Sequence, residues 1–180
     1  NNLAETLSHL GRHADALKLL QEVLEFQKRV LTQDHPEIAT SMHNLALSLS
    51  HLGRHADALN ILQAVLKFRK RVLPLDHPDI AISMNNLASI YSVLGRHDDA
   101  LKLQQEVLAF MNRVLPPGHL GIATSMYSLA STFSHLGRYA DALKLQQQVL
   151  EFQKRGLPQN HPDIATSMHN LAATFSHLGR

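Results

Sequence analysis

Residues 75–88 read LDHPDIAISMNNLA. A short turn leads into a run opened by proline, and one His, two Asp and two Asn stand close together. The stretch is either a site with chemistry in it or a joint between structural elements. What decides is that it is not unique. Residues 33–46 read QDHPEIATSMHNLA, residues 159–172 read QNHPDIATSMHNLA, and residues 117–130 read PGHLGIATSMYSLA.

The spacing is constant. Gly11, Gly53, Gly95, Gly137 and Gly179 each precede an Arg and stand 42 residues apart, as do Met42, Met84, Met126 and Met168. Residues 1–42 and 127–168 match at 31 of 42 positions. A fixed period of this length marks a repeat array. The units are 1–42, 43–84, 85–126 and 127–168, with a terminal helix piece at 169–180, and residues 1–180 form one array. The array begins inside one helix and stops just after another, without the atypical capping repeats of natural arrays, so it reads as a segment of a longer one.

Each unit holds two helical patterns. The first runs from about Pro36 to Leu52. Ile38, Met42, Leu45, Ala46, Leu49 and Leu52 keep the i, i+4, i+7 rhythm of one buried face. Pro36 suits the first helical position, His35 the cap, and Gly53 the left-handed residue past the end. The second runs from about His55 to Leu73, with Ala58, Leu59, Leu62, Val65, Leu66, Phe68, Val72 and Leu73 as its stripe. Its last turn carries Arg69, Lys70 and Arg71, which suit the negative end of a helix dipole and read as a solvated face. No stretch alternates with period two, so no strand is expected. One hairpin cannot bury both faces, whereas stacked hairpins can. Small residues at fixed points, Ala46 and Ala58 with their equivalents, let paired helices approach closely. The expected fold is an all-α, right-handed α-α superhelix of about nine antiparallel helices.

Composition excludes several classes. Hydrophobic residues make up 44% and charged residues 18%, which is a foldable chain. No run approaches a membrane span or a secretory leader, so an intracellular, cytoplasmic protein without membrane contact is expected. The net charge of +2 is too small for a nucleic-acid surface. Cysteine is absent. The thirteen His invite a metal. They fall at four repeat positions, however, and equivalent positions in stacked hairpins lie roughly 20 Å apart from one 8–10 Å helix spacing each. Two nitrogens on one zinc must each lie within about 2.1 Å of it. No metal and no cofactor is expected. His77, Asp76 or Asp79 and Ser83 can be arranged on paper as a triad, but the set recurs at His35 and His161, while an active site is singular. Capping explains it better, and no enzyme is expected.

Asn-Leu-Ala, then Leu-Gly-Arg, then Asp-Ala-Leu (Asp15–Leu17, Asp57–Leu59, Asp99–Leu101 and Asp141–Leu143) resembles the tetratricopeptide repeat. The 42-residue length, with HPDIA opening the first helix and NNLA inside it, is similar to the long repeats of the kinesin light chain family. That resemblance implies that first helices line a concave groove. The groove face would be Thr40, His43, Asn44, Leu47 and His51, then Ile82, Asn85, Asn86, Ser89 and Val93. It would continue as Thr124, Tyr127, Ser128, Ser131 and His135, and end as Thr166, His169, Asn170, Ala173 and His177.

Asn2, Asn44, Asn86 and Asn170 form a column, with Ser128 at the break. An amide can pair with the backbone of an extended peptide, or with a neighbouring helix to fix the hairpin packing. The groove carries no Lys or Arg, unlike family grooves that take carboxylate tails or acidic peptides. Its His residues would make it cationic below about pH 6.5 and favour acidic peptides there. The expectation is a non-enzymatic scaffold that holds an extended peptide or partner helix. The alternative is a structural spacer or self-association module, with end-to-end stacking of open units. Gly156, where the other units have Val, should let its helix fray, and Gly118 with Gly121 should loosen the third entry.

Overall fold

The computed structural model describes residues 6, 7 and 10–179. These hold α1 (His13–Val30), α2 (Pro36–His51), α3 (His55–Val72), α4 (Pro78–Val93), α5 (His97–Val114), α6 (Leu120–His135), α7 (Tyr139–Gly156) and α8 (Pro162–His177). Among the described residues there are eight helices and no strand. The expected ninth helix is the piece before Gly11. It falls mostly outside the described residues, where only Thr6 and Leu7 are seen as helical.

Local chemistry sets the boundaries. Pro36, Pro78 and Pro162 occupy the first turns of α2, α4 and α8. Each preceding His is extended, and its Nδ1 accepts the backbone N–H two residues on, at 3.3 Å for His35 and 3.2 Å for His77. α6 lacks the proline and has Gly121 in its first turn, yet His119 Nδ1 accepts from Gly121 N at 3.0 Å and the helix begins in the same register. At the other end Gly53 has φ +76°. That lets Arg54 N–H reach back to Leu49 O at 2.9 Å and close the helix.

The chain divides into two compact units, residues 1–94 and 95–180. In the first, α1 packs on α2, α2 on α3 and α3 on α4. Its core contains Leu20, Ile38, Leu45, Leu49, Leu62, Val65 and Ile80. In the second, α5 packs on α6, α6 on α7 and α7 on α8. Leu101, Leu129, Phe133 and Ala142 form a cluster closed by Leu108, Leu136 and Leu145. Ala16, Ala46, Ala58, Ala88, Ala100, Ala130 and Ala142 are all buried, as close packing requires.

Three expectations about the core are corrected. Leu52 follows the last turn of α2 and is exposed. Met84 is buried, but Met42 and Met126 are half-buried and Met168 is exposed. Met168 lies on α8, which packs on α7. Arg69, expected on a solvated face, is buried, with only 5% of its surface exposed. Its side chain folds inward to a carboxylate, as described below.

Candidate binding surface

In the first unit the expected groove residues lie on α2 and α4. Thr40, Asn44, Leu47, Asn85 and Asn86 are half-buried, while His51, Ile82, Ser89 and Val93 are exposed. His43 is buried. Asn86 Nδ2 lies 3.0 Å from His43 Nε2, joining α4 to α2. The amide donates, so that ring nitrogen is the unprotonated one, and the buried Nδ1 has no partner. Burial, assisted by the charge of Arg69 and opposed by Asp79, lowers the His43 pKa to about 4. His43 therefore adds no positive charge near pH 6, and the expected acid-induced charging fails at this position.

Beside His43 lies a rung that sequence reasoning missed. Arg69 Nη1 donates to Ser83 Oγ at 2.8 Å and to Asp79 O at 3.2 Å, and Nη2 lies 3.3 Å from the Asp79 carboxylate. Burial pulls the guanidinium below its usual pKa, and Asp79 opposes the shift. Ser83 Oγ donates to Asp79 O, and His77 Nδ1 is occupied by the cap. The residues of the imagined triad are thus spent on helix entry and on holding Arg69.

In the second unit the expected residues lie on α6 and α8. Tyr127, Ser131, His135 and Asn170 line one cavity of about 280 Å³, together with Tyr139 and Gln146 of α7 and Ala173, Thr174 and His177 of α8. Asn170 Nδ2 donates to Tyr127 OH at 3.1 Å, the counterpart of the Asn86–His43 pairing. Both bonds run between neighbouring first helices. For these two amides packing is served, and each amide keeps a further donor and acceptor. His135 Nδ1 donates to Ser131 O at 2.8 Å. Gln146 is buried, and its Oε1 has no partner. Tyr127 also lines a second cavity of about 210 Å³ with Thr124, Thr166, Gln153, Asp163 and Ser167. Ser128 Oγ is turned back on Thr124 O. His169 is exposed and lines neither cavity. Asn2 lies outside the described residues.

Histidines do come together, though not at equivalent positions. His13 stacks on His51, with ring centroids 4.7 Å apart, and His97 on His135 at 5.0 Å. Tyr139 stacks on His177 at 4.6 Å with rings only 7° from parallel. In every case the first ring starts a second helix, and its partner ends the following first helix. The signal in the sequence is a ring repeated at a 38-residue offset, broken once where His55 would need a ring at Val93. Stacked rings do not point two nitrogens at one ion. Among the described residues no three His, Asp or Glu side chains group around a common point, and no helix is long and apolar enough to cross a membrane.

A family profile described as tetratricopeptide repeat matches residues 1–71 and 79–155, and another of that description matches 43–111. A search of curated proteins finds no match. Among solved structures, a kinesin light chain-like protein from Podosopora anserina with nearly identical TPR-like repeats is 28% identical with a TM-score of 0.88. That match covers 99% of this chain and 84% of the other. BtubC (BKLC) from P. vanneervenii is 22% identical with a TM-score of 0.86, covering 98% of this chain and 70% of the other. A Rap protein complexed with Competence and Sporulation Factor is 14% identical with a TM-score of 0.72, over 98% of this chain and 47% of the other. The last two share the fold alone.

Proposed function

Because the chain belongs to the tetratricopeptide repeat family, we propose that it is a non-enzymatic protein-interaction scaffold that holds an extended peptide against its first helices. The observation that carries this reading is the cavity of the second unit. Six residues expected on the groove face, Tyr127, Ser131, His135, Asn170, Ala173 and His177, meet there, and the buried Gln146 carbonyl beside them has no partner. A buried carbonyl without a donor costs about 1–3 kcal/mol, which a peptide N–H would recover. Tyr127 and Tyr139 supply aromatic surface, and Asn170 and Ser131 supply polar groups of either sense. The cavity lining carries no Asp, Glu, Lys or Arg, which suits recognition of backbone over recognition of a charged side chain.

A random-peptide library displayed against the whole chain tests the reading, with isothermal titration of the enriched peptides. The expected result is a family of extended peptides whose affinity falls about tenfold in Gln146→Leu, the loss of one hydrogen bond to a buried acceptor. Leucine occupies the equivalent positions Leu20 and Leu62, so this variant keeps its fold. No enriched peptide, together with concentration-dependent sedimentation of the chain, would instead favour a self-associating spacer.

A further inference from the structure

The 42-residue period allows each unit to be compared with its counterpart side chain by side chain. Adding 84 to the first unit's buried rung, Arg69, Asp79 and Ser83, gives Gln153, Asp163 and Ser167. In the first unit the guanidinium of Arg69 fills the space, bonded to Ser83 Oγ and Asp79 O and facing the Asp79 carboxylate. In the second unit Gln153 is shorter and uncharged, and the same place is the 210 Å³ cavity. Val149 forms its floor, as the counterpart of buried Val65.

Of the polar atoms that Arg69 meets in one unit, the serine oxygen has no partner in the other. Ser167 is 96% buried (4% exposed), and its Oγ has no hydrogen-bond partner, nor does the buried Gln153 Oε1. Asp163 is the single charged side chain of the lining. Its nearest basic group is His161, 3.7 Å away through Nδ1. That nitrogen accepts the Asp163 backbone N–H at 3.2 Å, so it holds no proton to share with the carboxylate. The hydroxyls of Thr124 and Thr166 are already turned to helix carbonyls. What remains is a set of acceptors: a carboxylate, an amide carbonyl and a serine oxygen.

We propose that this cavity binds the guanidinium of an arginine side chain on the bound peptide, in the manner of Arg69. The choice of arginine over lysine follows from geometry. In the first unit one nitrogen of the fork bridges a hydroxyl and a carbonyl while the other faces the carboxylate, and a compact ammonium cannot span those positions. One other rung fits the same logic. Met111, which needs no counter-charge, stands opposite Gly121, where the acid is absent. The source of the arginine rests on the peptide-binding reading above, whereas the site itself does not.

The test is titration of the isotope-labelled whole chain with acetyl-arginine amide, following the Gln153 side-chain amide and the Ser167 backbone amide by NMR. Acetyl-lysine amide and acetyl-citrulline amide run in parallel, the latter having the same shape without the charge. Saturable shifts for arginine, at least about tenfold weaker for lysine and absent for citrulline, are expected. Asp163→Asn should weaken binding at least about tenfold with an unchanged melting temperature. Gln153→Arg rebuilds the rung of the first unit, and should abolish binding while raising the melting temperature. Equal responses to arginine and citrulline, or arginine binding undiminished in Gln153→Arg, would overturn the proposal. If the library instead enriches peptides that lack arginine, the assignment of the cavity fails and the scaffold reading stands. If arginine amide binds but no peptide is enriched, the scaffold reading fails and the guanidinium site stands.

Discussion

Asn86 on α4 donates its amide to the imidazole of His43 on α2, 3.0 Å away in the packing between two first helices, where burial holds that ring neutral. The folded pKa of about 4 lies below the ordinary 6.5. Between those values the unfolded chain binds a proton that the folded chain does not. Stability therefore falls as pH drops through this window and levels off below about pH 4. At about 1.4 kcal/mol per pKa unit the full loss is about 3 kcal/mol. Urea unfolding at about pH 7 and about pH 4.5 should show a larger drop for the native chain than for His43→Gln. Equal drops would assign the pH dependence elsewhere.

The Arg69 rung predicts an asymmetry between counterpart acids. Asp79→Asn strips the carboxylate from a buried guanidinium. It should cost about 1–2 kcal/mol, less than for a fully buried pair because the Asp79 side chain is 39% exposed. Asp163→Asn has no such dependent and should stay within about 0.5 kcal/mol. Denaturant midpoints of the two variants, measured side by side, check this.

The Tyr139–His177 stack should show coupling. A double-mutant cycle of Tyr139→Ala and His177→Ala is expected to give about 0.5–1 kcal/mol. The same cycle on His55 and Val93, where the second ring is missing, should give close to zero.

Gly156 ends α7, and a Cβ built there meets nothing within 4 Å. Its φ is not positive, so alanine fits without strain. Gly156→Ala should stabilise by about 0.5–1 kcal/mol, visible as a higher melting temperature.

The helices were readable almost to the residue. His35-Pro36 at one end and Gly53 at the other are local signals, and the four copies repeat them. The family followed from the same motifs. The groove face was readable as a set of positions, because helical spacing places Tyr127, Ser131 and His135 on one side of α6. What the chain's own repetition hid was the variation between copies. A period says that Gln27, Arg69, Met111 and Gln153 are equivalent, and it invites the same role for all four. Whether a long side chain runs out to solvent or folds in to a carboxylate ten residues on depends on the tertiary partner. The ring stacks were missed for a related reason. Their partners stand 38 residues apart, and a search at 42 passes over them.

That variation bears on how so repetitive a chain finds its partner helices. Near-identical hairpins can exchange with those of another molecule, or slide by one repeat, at little cost in buried apolar surface. The Arg69 position resists such a slip. Were α6 to take the place of α4, the guanidinium would face Gly121, where no carboxylate waits. Leaving Arg69 without its acid in this way costs about 1–2 kcal/mol, as in Asp79→Asn. Arg69 thus serves as a registration mark within a monotonous sequence. A chain carrying Arg69→Met and Asp79→Gly should retain its helices yet refold into a larger fraction of domain-swapped dimer, measured by size exclusion after rapid dilution from urea.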